Sequence, residues 1–371
     1  MIDFDQARFA IEAVTGGNNT LLFDDLGLPS VMVRIPTFQW SEVIEGGEDA
    51  PCSAFIAGGK VLECIYISKY MNIIENGRAY SLPNRDPAHT LTIDEARAAC
   101  AAKGRGWHLM TNAEWTAIAH WCVKNGTIPR GNSNFGRAYQ ATHEHGILVP
   151  GNNGKTLESE MRTYTGTGPY SWNHDHTAFG ITDLNGNIWD FVAGLRIFDG
   201  EIQIIPDNDS ALCVDETADS PHWRAINTDG ELVAPCSPGT YKYDAVSPGV
   251  SGEENTMTGD GYILNTTVSN RNYSGEEEDI SHRAYGWMRF FDMQVKQGLT
   301  AHIRLKQLGL FPQDGYRDGA CFFLRNYGER TAARGGSWFD GSGGGIWDIY
   351  LRETRAFIYP DIGFRSAYIE I

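Results

Sequence analysis

The chain has 371 residues, 42% of them hydrophobic and 21% charged, and a formal net charge of −17 at pH 7. This composition is that of a soluble globular protein with a large core, and it excludes an intrinsically disordered chain. The negative charge excludes nucleic acid as a partner, because the phosphates would be repelled. Since no apolar run approaches the length of a membrane span and the N-terminus lacks the apolar core of a signal peptide, we expect no membrane insertion and synthesis in the cytoplasm.

The N-terminal segment, residues 1–45, begins with an amphipathic helix. Asp3 and Gln6 form a candidate cap pair, apolar residues recur at helical spacing up to Val14, and Gly16-Gly17 ends the run. The helix either packs on its own domain or joins subunits. A strand ending at Pro36 follows.

The remainder, residues 46–371, reads as one α+β domain with short, well-marked elements. Gly58-Gly59 and Asp199-Gly200 each predict a tight hairpin. Thr92-x-x-Glu95 and Thr111-x-x-Glu114 are capping boxes, and each predicts the start of a helix. The stretch 129–176 is rich in glycine and asparagine and predicts loop with little regular structure.

Periodicity weakens between about residues 206 and 319. Turn signals such as Pro238-Gly239 and the acidic run Glu276–Asp279 predict an elaborated, solvent-facing insertion, with the acidic run as a solvated loop. The seven cysteines have scattered spacings and no C-x-x-C pair, which favours free and mostly buried thiols over a disulfide framework. They are Cys52, Cys64, Cys100, Cys122, Cys213, Cys236 and Cys321.

The interval from Phe339 to Asp361 fits neither a helical period nor a strand alternation. It combines aromatic residues and arginines with glycine and serine, a composition typical of binding surfaces. Flat rings give a large contact area at low entropic cost, and arginine adds forked hydrogen bonds. A twisted pair of core strands with glycine bulges would give the same composition.

Four separated motifs carry a resemblance to one family. They are Leu109-Met110-Thr111-Asn112-Ala113-Glu114-Trp115, Asp183-Leu184-Asn185-Gly186-Asn187-Ile188-Trp189-Asp190, Arg334-Gly335-Gly336-Ser337-Trp338 and Gly363-Phe364-Arg365. In this order and spacing, from about residue 60 to the C-terminus, the chain resembles the formylglycine-generating-enzyme branch of the C-type lectin fold. The resemblance implies a small twisted antiparallel sheet, two helices beside it, long irregular loops and, here, the insertion.

That branch contains both enzymes and binding proteins. The formylglycine-generating oxidases hold copper on a cysteine pair in the C-terminal part of the domain, yet this chain has no cysteine after Cys321. The iron motif of the sulfoxide-synthase relatives, H-x-x-x-H-x-E, is also missing. We therefore predict no enzymatic activity. The alternatives are an inactive or non-standard oxidase and a carbohydrate-binding lectin of fixed specificity.

The binding proteins of the branch are the variable proteins of diversity-generating retroelements, which include the phage major tropism determinant. In these proteins a reverse transcriptase rewrites adenine-derived codons between motifs like R-G-G-S-W and G-F-R, and the interval in this chain is of matching length. Randomised Asn codons can encode eight residues of the interval, and we add Trp347 for its composition. The predicted ligand-binding positions are Phe339, Asp340, Gly343, Trp347, Tyr350, Arg352, Phe357, Tyr359 and Asp361.

A site whose side chains change must be held by residues that do not. We predict that a buried frame performs this role, with its arginines pairing with buried acids or carbonyls. Its members are Arg334, Gly335, Gly336, Trp338, Trp189, Gly363, Phe364 and Arg365. Glycines and tryptophans would hold the loop while the nine predicted positions face outward.

Other candidate sites are weaker. His143-x-His145 and His174-x-His176 lack further ligands nearby and are interpreted as surface histidines. Asp183-x-Asn185-x-Asn187 fails as a calcium loop, because Gly186 is misplaced and position twelve is Gly194. We predict no cofactor and no catalytic metal, with structural calcium left open.

The resemblance also implies partners and a location. The expected partner is a host-surface protein or glycan. By the same resemblance, a homo-oligomer is expected, a trimer in the phage relatives. The expected location is the virion, on a phage tail, or another displayed position.

Overall fold

The structure is a computed structural model that describes residues 4–150, 161–247, 257–258, 261–271 and 285–371. Helices and strands are both present and strands predominate, which confirms the α+β class. The acidic run at 276–279 lies outside the described residues, so its interpretation as a solvated loop stays a prediction. Within the described residues, no helix is long and apolar enough to cross a bilayer.

The helices in the described ranges have between four and fourteen residues. They are α1 (Phe4–Thr15), α2 (Trp40–Val43), α3 (Ile93–Ala101), α4 (Asn112–Asn125) and α5 (Ile303–Gln307). The predicted capping boxes start α3 and α4. The hydroxyls of Thr92 and Thr111 accept hydrogen bonds from the backbone amides of Glu95 and Glu114 at 3.2 and 3.1 Å. Each glutamate in turn accepts from its threonine's amide, which satisfies donors that a helix start leaves free.

The strands have two to six residues, apart from one of eight and one of ten. They are β1 (Asn19–Phe23), β2 (Pro29–Pro36), β3 (Ile56–Ala57), β4 (Lys60–Val61), β5 (Cys64–Ser68), β6 (Asn72–Glu75), β7 (Arg78–Ser81), β8 (Trp107–Leu109), β9 (Trp189–Phe198), β10 (Glu201–Ile204), β11 (Arg224–Ile226), β12 (Leu232–Val233), β13 (Lys242–Ala245), β14 (Met257–Thr258), β15 (Tyr262–Asn265), β16 (Tyr285–Arg289), β17 (Gln294–Val295), β18 (Cys321–Leu324), β19 (Glu329–Arg334), β20 (Ile349–Leu351), β21 (Ile362–Phe364) and β22 (Ser366–Tyr368).

One sheet joins the two ends of the chain. Its strand order is β1-β2-β5-β22-β8, and all of its pairs are antiparallel. Because β2 pairs with β5, the predicted N-terminal segment 1–45 shares a sheet with the rest of the chain. Helix α1 lies beside β1 and ends before Gly16 and Gly17, both in the left-handed region.

The larger sheet is centred on β9. It runs in the order β14-β16-β18-β20-β19-β9-β10-β13-β15-β17, with β21 also pairing with β9 and with β11 and β12 beside β10. The predicted hairpin turn Asp199-Gly200 joins β9 to β10, and both turn residues have positive φ. The hairpin predicted at Gly58-Gly59 joins β3 to β4. A further hairpin is formed by β6 and β7.

The described part of the region 206–319 is not mainly solvent-facing, contrary to the prediction. Its strands β13 and β15 extend the large sheet. The side chains of Tyr241, Tyr243, Leu264 and Phe290 are almost completely buried in the main core cluster. Short strands spaced by polar turns hide this burial from a periodicity argument, because each strand contributes only two or three core residues.

Candidate functional site

The interval Phe339–Asp361 is held at its start by Arg334, the last residue of β19. This side chain is completely buried. Its guanidinium donates to the side-chain oxygen of Asn112 at 3.1 and 2.8 Å, and to the carbonyls of Leu308 and Gly309 at 3.3 and 3.1 Å. Burial lowers the pKa of Arg334 to about 9, so the group remains charged at neutral pH. Arg334 therefore ties β19 to α4 and to the turn after α5.

At the other end, Arg365 follows β21 and is also completely buried. Its guanidinium donates to one carboxylate oxygen of Asp190 at 3.1 and 2.9 Å. It also donates to the carbonyls of Thr182 and Asp183, at 3.1 Å each. Burial raises the pKa of Asp190 to about 6, while the neighbouring Arg365 opposes that rise. Removing one member of such a pair leaves the other charge buried and unpaired, which typically lowers the free energy of unfolding by about 3–5 kcal/mol.

Two adjacent glycines follow Arg334 because nothing larger fits. Gly335 and Gly336 have φ of +93° and +81°, a region that side chains disfavour. A Cβ on Gly336 would lie 2.5 Å from a carboxylate oxygen of Asp348, and one on Gly335 would lie 2.9 Å from the carbonyl of Leu184. The turn that leads into the interval thus depends on glycine at both positions.

Trp338 completes this first anchor. Its side chain is 3% exposed and packs with Met71 and Ile188, and its amide donates to the carbonyl of Asn187 at 3.0 Å. The remaining predicted frame positions are buried as well: Trp189, Gly363 and Phe364. All eight frame positions thus lie inside the protein, where a ligand cannot reach them, and their role in holding a variable loop stays a prediction.

The nine predicted ligand-binding positions divide into three groups. About half of the side chain is exposed at Phe339 (48%) and Tyr359 (50%). Four positions are partly exposed: Asp340, Tyr350, Arg352 and Phe357. Three are buried: Gly343, Trp347 and Asp361.

The expectation that all nine face solvent is therefore wrong for three of them. The indole of Trp347 is 1% exposed and lies between His120 and Phe290, with ring centroids at 4.8 and 6.4 Å. A Cβ on Gly343 would lie 2.8 Å from the sulfur of Cys321, so this glycine is a close-packing position. Asp361 is 5% exposed. Composition could not separate these residues from surface ones, because tryptophan and glycine serve both roles.

Tyr350 is a strand residue with a half-buried ring, not a free aromatic on a loop. It lies in β20, which pairs with β18 and β19. The ring packs against Trp189 at 5.2 Å and Phe323 at 5.7 Å, and its hydroxyl donates to Glu353 at 3.3 Å. Only part of this side chain is accessible to a ligand.

The segment after β20 presents a second aromatic group. The rings of Phe357 and Tyr359 are stacked, with centroids 5.7 Å apart and an interplanar angle of 11°. Ile358 between them is 50% exposed. Arg352 lies at the start of this segment, and its guanidinium donates to Glu353 at 2.6 Å. Stacked rings flanked by an exposed aliphatic side chain form a rigid apolar surface with little entropy to lose on binding.

Asp340 and Asp361 lie at opposite ends of the interval in sequence but near each other in the structure. Asp340 accepts hydrogen bonds from the amide and hydroxyl of Ser337, the latter at 3.1 Å. Burial, and next the charge of Asp340, raise the pKa of Asp361 from 3.8 to about 7. Burial raises the pKa of Asp340 to about 6. The charge of this part of the interval therefore changes between about pH 5 and pH 8.

The structure also places two residues at the site that the sequence argument missed. Phe135 and Tyr139 are 45% and 50% exposed and lie in the stretch predicted only as loop. The amide of Phe135 donates to the carbonyl of Trp338 at 2.7 Å, and the amide of Gly341 donates to the carbonyl of Ser133 at 2.7 Å. These bonds hold residues 133–139 beside Phe339. The available signal was aromatic residues on a Gly/Asn-rich background, the same signal that singled out the interval itself.

The rival sites show no metal-binding arrangement. His143, His145 and His176 are exposed, but His174 is 5% exposed and is not the surface residue that was predicted. Within the described residues, no group of three or more His, Cys, Asp or Glu side chains is placed to hold a metal ion. All seven cysteines are free, as expected, and Cys213 and Cys236 are exposed.

Comparison with known proteins gives no family assignment. No protein-family profile matches the chain, and no curated protein matches it. Among solved structures, Treponema denticola variable protein 1 aligns over 95% of this chain and 99% of its own, with 10% identity and a TM-score of 0.34. PvdO from Pseudomonas aeruginosa aligns over 95% and 98%, with 13% identity and a TM-score of 0.27. At such TM-scores neither likeness decides the fold or the function of this chain.

Proposed function

We propose that the chain is a ligand-binding protein of C-type lectin-like fold that presents a recognition surface diversified by a retroelement. The surface comprises the six accessible positions of the interval: Phe339, Asp340, Tyr350, Arg352, Phe357 and Tyr359. Its natural ligand would be a host-surface protein or glycan, bound by a phage tail or by a displayed bacterial protein.

One observation carries the proposal. Completely buried anchors, Arg334 and Arg365, bracket a stretch in which four aromatic side chains are partly or half exposed: Phe339, Tyr350, Phe357 and Tyr359. The anchors bond to backbone carbonyls and to side chains outside the interval, so these two attachments do not depend on the residues that the interval displays. A surface whose side chains are rewritten needs this separation, because each substitution must leave the fold intact.

The position and protonation state of the last thiol argue against the oxidase alternative. Cys321 is the last cysteine of the chain, and burial raises the pKa of its thiol to about 12. Copper is bound by thiolates, and a buried thiol with a raised pKa remains protonated at neutral pH. An assay with added copper and a cysteine-containing peptide substrate tests this alternative, because turnover of the peptide would favour it.

Sequencing isolates of one lineage tests the diversification directly. We expect substitutions confined to the interval between Arg334 and Arg365, at codons that adenine mutagenesis can reach. We also expect a nearly identical, adenine-rich template repeat near the gene. Substitutions spread evenly along the gene would refute the proposal.

A display library tests binding without knowledge of the natural ligand. The six positions would be randomised together, displayed on yeast and selected against a panel of unrelated purified proteins. The matched control randomises six exposed positions of α1: Asp5, Gln6, Phe9, Ala10, Ala13 and Val14. We expect specific binders from the first library at a rate well above the control. Equal recovery from both would mean that the interval has no special capacity for recognition.

A further inference from the structure

A cavity outside the interval lies between strand β2, helix α4 and the loop at 173–179. Its volume is about 230 Å³. The walls are largely apolar and include Ile35, Phe38, Ile118, Trp121 and Phe179. None of its lining residues belongs to the interval Phe339–Asp361, so its function is separate from the one proposed above.

Four polar residues line this space, Asn18, Arg34, Asp175 and His174, and His174 alone among them is buried. Its ring lies 5.4 Å from that of Trp121 and is 5% exposed. Its Nδ1 accepts a hydrogen bond from the amide of Ile181 at 2.8 Å, and its own amide donates to the carbonyl of Ile181 at 2.9 Å. These two bonds fix the orientation of the ring.

The hydrogen bond to Nδ1 also fixes the tautomer. Burial lowers the pKa of His174 to about 4, so the imidazole is neutral at pH 7. A neutral imidazole has one acceptor and one donor nitrogen, and therefore Nε2 carries the proton. Nε2 has no hydrogen-bond partner among the described residues and is not sealed off by protein atoms, so its N–H faces the cavity.

The cavity's size and chemistry define what could fill it. An apolar cavity of about 150 Å³ accepts benzene, so this larger one has room for a single ring with a small substituent. The Nε2–H donor is open to the cavity, so an acceptor on a ligand would take the place of the water that otherwise satisfies it. The aromatic rings of Phe38, Trp121 and Phe179 suit a flat ligand.

We propose that this cavity is a binding site for a small, uncharged, single-ring compound carrying one hydrogen-bond acceptor, which accepts from the Nε2–H of His174. The ring of the ligand would pack between Trp121 and Phe179. A carbonyl oxygen is the simplest acceptor that meets these requirements.

Fluorine NMR of two matched probes tests the site on the full chain. The probes are 4-fluoroacetophenone, which has a ring and a carbonyl acceptor, and 1-ethyl-4-fluorobenzene, which has nearly the same shape and no acceptor. We expect the ketone to bind about three- to ten-fold more tightly, the range that one neutral hydrogen bond supplies. Failure of both probes to bind would overturn the proposal and leave a cavity that holds only water.

Three variants identify the site. His174→Asn keeps an acceptor for the amide of Ile181, but its shorter side chain withdraws the remaining donor, Nδ2, from the position of Nε2, so the preference for the ketone should disappear. Ile118→Phe fills the cavity and should abolish binding of both probes. Ile118 is buried, so a larger side chain there could prevent folding. Phe179→Trp, at the half-buried rim of the cavity, is therefore a second variant that fills it. Binding that persists in a folded, filled variant, or a ketone preference unchanged in His174→Asn, would refute the proposal. None of these variants alters the recognition surface, so the display experiment succeeds or fails independently.

Discussion

Truncation to alanine should destabilise the protein strongly at Trp338 and only weakly at the adjacent Phe339. Trp338 is 3% exposed and packs with Met71 and Ile188, so Trp338→Ala removes a core ring and should cost about 3–5 kcal/mol. Phe339 is 48% exposed, with an edge contact to Trp338 at 5.7 Å. Phe339→Ala should therefore cost about 1 kcal/mol or less, close to the usual range for surface substitutions.

Thermal and urea denaturation followed by circular dichroism would measure both effects. With an unfolding entropy of about 2.1 cal/mol/K per residue, a chain of this length should lose roughly 4–6 °C in Tm for Trp338→Ala and about 1 °C for Phe339→Ala. Trp338→Phe is the matched control, because it keeps a ring in the core and should lose less than the alanine variant. Equal losses for the two alanine variants would refute the division between buried anchor and displayed side chain.

The buried ion pair, the buried acid and the half-buried tyrosine can be tested with the same assays. Arg365→Leu leaves the carboxylate of Asp190 unpaired and should cost about 3–5 kcal/mol; unchanged urea stability would contradict the pairing. The raised pKa of Asp361 means that the folded wild type binds a proton more tightly than the unfolded chain, so this group's contribution to stability falls between about pH 4 and pH 7. The free energy of unfolding of Asp361→Asn should therefore rise relative to that of wild type by about 1 kcal/mol or more as the pH is raised from 5 to 8. A difference in Tm that stays constant over this range would argue against the raised pKa. Tyr350→Ala should cost about 1–3 kcal/mol, since the ring rests on Trp189; a loss below about 0.5 kcal/mol would indicate a freely exposed ring.

Local signals predicted the elements that depend on neighbouring residues. A capping box is complete within four residues, and for that reason the starts of α3 and α4 were correct. The turn at Asp199-Gly200 was correct because its backbone requires positive φ at both positions. The region 206–319 was predicted poorly, because its core residues are spread over short strands that pair across long sequence distances.

The sequence by itself determined the α+β class, the helix starts, the tight turns and the interval on which the recognition proposal rests, since each of these follows from composition, spacing or backbone conformation. Only the tertiary structure decided which aromatic residues of that interval are accessible. Trp347 and Phe339 are both large aromatic side chains, yet one lies against Phe290 in the core and the other lies beside Phe135 at the surface. The physical reason is that burial depends on which distant segments pack over a residue, and those contacts are not encoded in its immediate neighbours.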